Sequence, residues 1–407
     1  MARKPKRDLT MEEQLARGPV DLPFLMLTML LLCFGLIMVF SASFATAYYD
    51  SSLTVQNNPL FYIKRQAIFA FGGVVCMYIV SKINYQTLRA LSIPMLMVTY
   101  ILLLLVLTPI GVNLNGAQRW LHLFLVAGPT FQPSEIAKVT LIIFFAARLS
   151  KRETQKKKKF TKRTFTGRLL NFLEGIGFLE LIPYGLVLLS VLILVVLEPH
   201  MSGTILIMVG AAAVLFAAGI RLGWFVGLGS AAVGALALII LTTDYMTARV
   251  QIWLDPWVDP RGDGFQNIQA LLAMGSGGLT GLGLGNSRQK FMYLPETEND
   301  FIFPVVVEEL GFLGGALVLI LFALLILRGY WLALHARDKF GTLTIVGIIT
   351  LLAVQVFLNI GVVTGLIPNT GISLPFFSYG GTALMIQLAE MGVVLSISRQ
   401  IPAPKKD

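Results

Sequence analysis

Charge is what this sequence has least of. Only 13% of its 407 residues are Asp, Glu, Lys or Arg, against roughly 25% in soluble domains, so a soluble globular protein is excluded. Cysteine is nearly absent: Cys33 and Cys76 both lie inside apolar runs, read as small packing or lipid-facing side chains, and carry no information about redox compartment. The three histidines, His122, His200 and His335, lack the HExxH or comparable spacing of a zinc site. No GK[ST] follows the glycine-rich stretch, which excludes a Walker A loop. The net charge of +10 is distributed as membrane topology, and no nucleic-acid partner is expected.

What the chain has in abundance is oil: 56% hydrophobic residues and a mean hydropathy of +0.76. Ten apolar runs approach the roughly 20 residues that cross a bilayer, at 22–44, 66–81, 91–111, 133–149, 180–197, 202–219, 222–242, 302–327, 342–366 and 376–397. The expected fold is an all-α polytopic membrane protein with ten transmembrane helices. Residues 1–21 form a polar, basic tail, 22–398 the membrane domain, and 399–407 a second tail. The first apolar run is too long for a signal peptide, has no A-x-A-like site and is followed by many more spans, so no cleavage is expected.

Positive charge orients the bundle. With both termini inside, 24 of the 32 Lys and Arg fall in cytoplasmic segments, as the positive-inside rule requires. The loop 150–179 then lies inside; its run KRETQKKKKFTKRTFTGR reads as a solvated topology anchor that attracts anionic lipid. The large loop 243–301, between the seventh and eighth spans, lies outside.

That outer loop concentrates the chemistry. It carries LDPWVDP, the glycines at 275, 277, 278, 281, 283 and 285, the cations Arg249, Arg288 and Lys290, and the acids Glu296, Glu298 and Asp300, and is followed by EELG. Cations beside a carboxylate suit transfer from a phosphate-linked donor: they neutralise the leaving phosphate while the carboxylate removes a proton from the acceptor hydroxyl. Asp300 directly precedes the apolar FIFPVVV and is the acid expected to be desolvated, with Glu296 and Glu298 better solvated. Spacing alone does not separate this from a hydrated acidic loop.

Other polar groups point the same way outward. Arg119 and Trp120 fit an outer interface, as phosphate grip or membrane anchor. Glu135 and Lys138, three residues apart behind Pro133, share a helix face, either as a locking ion pair or toward substrate. EPHMSGT (198–204) reads as a plain connection that can at most line a cavity. The uncharged TGLIPNTGISLPFFSYGGTALM (364–385) suggests a kinked or re-entrant segment; Asn359, one turn before it, and Ser378 and Tyr379 within it offer polar groups to a ligand.

The motifs GAQRW, FQPSEIAK, LDPWVDP, GSGGLTGLGLGNSRQK through ETENDFIF, EELG and TGLIPNTGISLPFFSYGG together resemble the SEDS family (shape, elongation, division and sporulation), closer to its FtsW and SpoVE branch than to RodA. The resemblance runs from the first span to Ser398. It implies a peptidoglycan glycosyltransferase that polymerises lipid II at the outer face of the cytoplasmic membrane, in division or sporulation. Its implied partners are a class B penicillin-binding protein, other divisome membrane proteins and membrane lipids. It also implies Asp300 as the catalytic base and Arg119, Glu135 and Lys138 as functional positions, with Arg249, Arg288, Lys290, Glu296 and Ser378 completing the expected substrate site. No dedicated metal cage is visible, and a divalent cation, Mg or Mn, is an optional aid to the diphosphate. EPHMSGT departs from the family pattern by one residue. Two rival functions are a lipid II flippase using Glu135 and Lys138, and a non-enzymatic scaffold.

Overall fold

A computed structural model describes residues 18–52, 54–114, 117–122, 129–151, 177–198, 200–230, 234, 250–262 and 264–401. Most of the N-terminal tail, the basic run 152–176, much of the seventh span, Arg249 and residues 402–407 lie outside the described residues. The named helices are α1 (Leu22–Tyr49), α2 (Phe61–Lys82), α3 (Tyr85–Val106), α4 (Pro133–Leu149), α5 (Phe178–Leu197), α6 (Met201–Ala217), α7 (Phe265–Ser276), α8 (Ile302–Leu334), α9 (Lys339–Val363) and α10 (Gly381–Ser398). Residues 222–230 are also helical.

Six of these helices, α1, α2, α3, α8, α9 and α10, are long and apolar enough to cross a membrane; α5 and α6 carry shorter apolar stretches of the same kind. Polar caps explain why some helices extend beyond their apolar runs. Asp21 accepts the Phe24 amide at 3.0 Å and so starts α1, while its carboxylate also takes the Arg328 guanidinium at 2.6 Å. Asn84 caps α3 through the Gln86 amide, and the polar first turn is anchored by Tyr85 and Gln86 donating to Asp338 at 2.7 and 2.8 Å. The apolar run of this helix starts at 91, but the tie to Asp338 carries the helix back to Tyr85.

The expectation of an all-α chain needs one correction. Between α3 and α4 lies an antiparallel sheet of β1 (Val112–Leu114), β2 (Ala117–His122) and β3 (Thr130–Phe131), in the order β1-β2-β3. Val112 faces Trp120, and Leu121 faces Phe131. Strands of two to six residues are too short for apolar alternation to declare itself.

The core is centred on α9, which packs against α4, α6 and α8, while α2 lies along α10. The outer loop is bolted to the start of α8. At Gly311 (φ 71°) the helix breaks, and the backbone groups this frees bond to the glycine-rich loop. The amides of Leu282 and Gly283 donate to the Glu308 and Glu309 carbonyls at 3.0 and 2.9 Å, and those of Phe312 and Leu313 donate to Gly278 and Leu279 at 2.8 and 3.1 Å. The two segments cross so closely that a Cβ at Gly281 would stand 2.2 Å from the Glu309 carbonyl oxygen.

Two buried carboxylates complete the clasp. Glu308 accepts the Ser287 hydroxyl at 2.5 Å and the Arg288 amide at 2.9 Å. Glu309, 0% exposed, accepts the Gly285 amide at 2.9 Å, the Ser41 hydroxyl of α1 at 2.7 Å and the Lys290 ammonium at 2.9 Å. Lys290 is 3% exposed and also donates to Ser41 and the Gly285 carbonyl.

Gly281→Ala is expected to lower the unfolding temperature in detergent. The positive φ alone costs an L-residue about 1–2 kcal/mol, and the overlap with the Glu309 carbonyl adds to it. Gly275→Ala is the control: it lies within α7 with nothing within 4 Å of a new Cβ, and is expected to gain about 0.5–1 kcal/mol.

Candidate functional site

At the meeting point of the β-sheet, the outer loop and the 364–380 segment lies a cavity of about 1030 Å³, at the upper end of the roughly 300–1,000 Å³ of small-molecule sites. Asp300 and Glu296 line it from the outer loop, Arg119 and Trp120 from β2, Arg65 from α2, His200 from the turn between α5 and α6, and Ser202 from the first turn of α6.

Asp300 is held by its backbone from two sides. On one side the Asn359 amide donates to the Asp300 carbonyl at 2.8 Å and to the Ile372 carbonyl at 2.7 Å. On the other the Ser378 hydroxyl donates to the Asn299 carbonyl at 2.8 Å, and the Tyr379 amide to the Glu298 carbonyl at 2.7 Å. The carboxylate lies against Gly371, where a Cβ would approach its Oδ2 to 3.3 Å. Burial, reinforced by the negative charge of Glu296, pushes the Asp300 carboxyl up to about 6. A group titrating there is largely ionised at neutral pH and basic enough to take a proton.

Of the two neighbouring acids, Glu296 is solvated as expected and Glu298 is not. Glu296 is exposed and accepts the Asn299 side-chain amide at 2.6 Å. Glu298, expected to be solvated, is buried, with Thr297 donating to it at 3.2 Å, and burial raises its pKa. Alternation along the loop, with a left-handed residue at Glu296 (φ 55°), turns the two acids to opposite environments.

The expected cations also divide. Arg119 lines the cavity and its Nε donates to the Glu198 carbonyl at 3.2 Å. Glu135 lines it too, paired at 2.8 Å with the buried Lys138. Lys290 does not reach the cavity: its charge is taken by Glu309, so its expected grip on a diphosphate is corrected to a structural role. Arg288 is exposed and is not among the lining residues; its amide, not its guanidinium, is used by the clasp. Arg249 lies outside the described residues. Ser378, expected to offer its hydroxyl to a ligand, accepts the Leu374 amide at 2.7 Å while donating to Asn299, so it braces the loop. The Trp253 indole N–H donates to the Gly365 carbonyl at 3.0 Å, tying the outer loop to the 364–380 segment.

Several lining groups escaped the sequence reading. Arg65 directly precedes the second apolar run, where a charge reads only as the end of a span. The 198–204 turn is more than a connection: Glu198 is 0% exposed with neither carboxylate oxygen hydrogen-bonded, and burial pushes it up to about 8. His200, packed against Gln132 and Ser134, is pushed by burial down to about 4. Both are therefore neutral at pH 7. Glu390, inside α10, joins Glu135, Lys138 and Gln387 around a polar chamber of about 40 Å³; an acid within an apolar helix was the signal available for it. Among the described residues no three His, Cys, Asp or Glu side chains converge in a metal-binding group.

Comparison with known proteins accords with this architecture. Residues 22–402 match the family model for FtsW, RodA and SpoVE, described as cell cycle protein. The stage V sporulation protein E of Bacillus subtilis (strain 168) is 42% identical over 381 residues, covering 93% of this chain and 97% of that protein. A probable peptidoglycan glycosyltransferase FtsW of Geobacter sp. (strain M18) is 39% identical over 386 residues, covering 94% and 97%. Among solved structures, a chain from "Structural coordination of polymerization and crosslinking by a peptidoglycan synthase complex" superposes with a TM-score of 0.72 at 26% identity, covering 95% of this chain and 99% of that one. The crystal structure of Thermus thermophilus rod shape determining protein RodA superposes with a TM-score of 0.63 at 26% identity, covering 95% and 98%. A match across nearly the whole chain, joined to six helices of membrane-spanning length, makes this a multi-pass membrane protein of the FtsW, RodA and SpoVE family, the SEDS family.

Proposed function

We propose that the chain is a peptidoglycan glycosyltransferase that polymerises lipid II, with Asp300 as the general base. The observation that carries this reading is a single desolvated carboxylate, braced by its own backbone, in a cavity that also presents arginine side chains. Asp300 takes the proton of the 4-hydroxyl on the acceptor's terminal N-acetylglucosamine. The freed oxygen forms a bond to the anomeric carbon of the donor's N-acetylmuramic acid. The bond from that carbon to the diphosphate breaks, and its electron pair leaves with the polyprenyl diphosphate. Arg119 stabilises charge on a diphosphate, and Glu135 with Lys138 shapes the adjoining wall. A divalent ion, Mg or Mn, where it takes part, would enter with the diphosphates.

The full topology belongs to this proposal: ten spans, both termini cytoplasmic, and a cavity facing outward, where lipid II is polymerised. The names of its relatives support a role in division or sporulation, and the synthase-complex neighbour supports a class B penicillin-binding protein as partner, with other divisome proteins and membrane lipids around it. The flippase reading would use the Glu135, Lys138 and Glu390 chamber. At about 40 Å³ that space holds a few waters and is an order of magnitude below a typical ligand site of several hundred Å³, which favours the enzyme.

Reconstituted with its cognate penicillin-binding protein and given lipid II, the wild-type chain is expected to produce glycan strands. Asp300→Asn, folded and partner-bound, is expected to lose about 10²–10⁴-fold in rate; strands at the wild-type rate would remove Asp300 from the mechanism. Because the base must be ionised, kcat/KM is expected to rise with pH through about 6 and then level. Glu296→Gln removes the charge that helps raise Asp300, so its acidic limb is expected at lower pH than in the wild type.

A further inference from the structure

The turn between α5 and α6 buries an acid that the proposed reaction does not use. Glu198 is 0% exposed, and neither of its carboxylate oxygens accepts a hydrogen bond. A buried carboxyl without partners is costly when ionised and much less so when it holds its proton. Burial accordingly pushes this one up to about 8, so it is protonated at pH 7. Among the described residues, the charge that acts on it is Arg119 of β2. Glu135 and Lys138 of α4 act, with Arg119, on the neighbouring His200.

The main chain of Glu198 is used where its side chain is not. Its carbonyl accepts the Arg119 Nε–H at 3.2 Å, so a single residue steadies the guanidinium and carries a spare carboxyl beside it. The backbone of the turn is pinned. The His200 amide donates to the Val195 carbonyl at 3.3 Å, and the Thr204 hydroxyl donates to the His200 carbonyl at 2.9 Å. The His200 ring meets Gln132 and Ser134 at 3.1 Å each, and the Ser202 hydroxyl donates to the Thr370 carbonyl. Rotation about side-chain bonds is therefore the movement left to Glu198. Arg119 and His200 line the cavity, whereas Glu198 does not. Loss of its proton would place a negative charge outside the cavity wall, where the guanidinium held by its own carbonyl is the cation that answers it.

We propose that Glu198 is a positioning residue for Arg119: protonated, it leaves the guanidinium turned to the cavity, and ionised, it pairs with the guanidinium and withdraws it. Its effect on rate rests on the glycosyltransferase reading, but the pairing is tested without turnover. Infrared difference spectra between pH 7 and pH 9 are recorded on the full chain in phosphatidylcholine nanodiscs. The wild type is expected to lose a protonated-carboxyl stretch and to shift an arginine guanidinium band. Glu198→Gln is expected to lack both changes, and Arg119→Gln to lack the guanidinium shift. Absence of a Glu198-dependent carboxyl stretch, or a guanidinium shift that survives in Glu198→Gln, overturns the proposal. With its partner and lipid II, the wild type is expected to leave the plateau above the Asp300 rise and lose about tenfold in kcat/KM from pH 7 to pH 9, against less than about twofold in Glu198→Gln, whatever that variant's absolute rate. An equal alkaline fall in both proteins, or none in the wild type, also overturns it. Where Glu198→Gln does not fold, Glu198→Met, apolar and of similar length, carries the same expectations. Failure of the glycosyltransferase reading is visible separately, as lipid II left unconverted by the wild type at every pH, and the infrared spectra then decide the pairing alone.

Discussion

Everything at the site depends on one arrangement: two adjacent glutamates near the start of α8, turned inward to hold the glycine-rich stretch that follows α7 and forms no helix or strand of its own. A loop of glycines and polar residues has little apolar surface to bury, so its order must come from hydrogen bonds made in a dry place. Glu308 and Glu309 provide acceptors, the amides of Gly285, Ser287, Arg288 and Gln289 and the hydroxyls of Ser41 and Ser287 provide donors, and Lys290 balances one of the charges. Removing one partner from such a buried pair costs about 3–5 kcal/mol, a large part of the total stability of a folded domain. The lysine is therefore where the loop needs it, and the substrate must be met by other cations.

The cavity's electrostatics follow from which groups remain charged. Glu198 and His200 are both neutralised by burial at physiological pH, in opposite directions. Their wall contributes hydrogen-bonding capacity without net charge. That leaves the arginines to set the positive potential and Asp300, with Glu296 near it, to set the negative. A base raised by desolvation in the same cavity as guanidinium groups is an economical way to separate proton removal from phosphate neutralisation within a single space.

What the sequence disclosed, and what it hid, divides along physical lines. The long apolar runs were legible because a bilayer-length helix needs no partner to be recognised, and α5 and α9 begin within three residues of the runs that announced them. Asp300 was legible because an acid immediately before FIFPVVV has oil on one side. Lys290 was misread because its partner Glu309 lies nineteen residues on, and nothing in local spacing says that they meet. Ser378 was misread for the same reason. Arg65 was hidden by its position: beside Lys64 at the head of a short apolar run, it resembles every other charge that marks the end of a span. The small sheet was too short to show a period at all.

The ties that shape the cavity join distant parts of the chain. Ser41 meets Glu309 across 268 residues, and Gln66 meets Gly380 across 314. Helices made in order at the ribosome therefore cannot form the site piecemeal. The second helix must wait for the tenth to arrive before Gln66 has partners, and the first must wait for the eighth. Until α10 is in place there is no wall beside Arg65 and no brace behind Asp300. A chain interrupted before α10 would carry most of its apolar helices into the membrane yet lack the wall that closes the cavity. Completion of synthesis and acquisition of the site are, for this architecture, the same event.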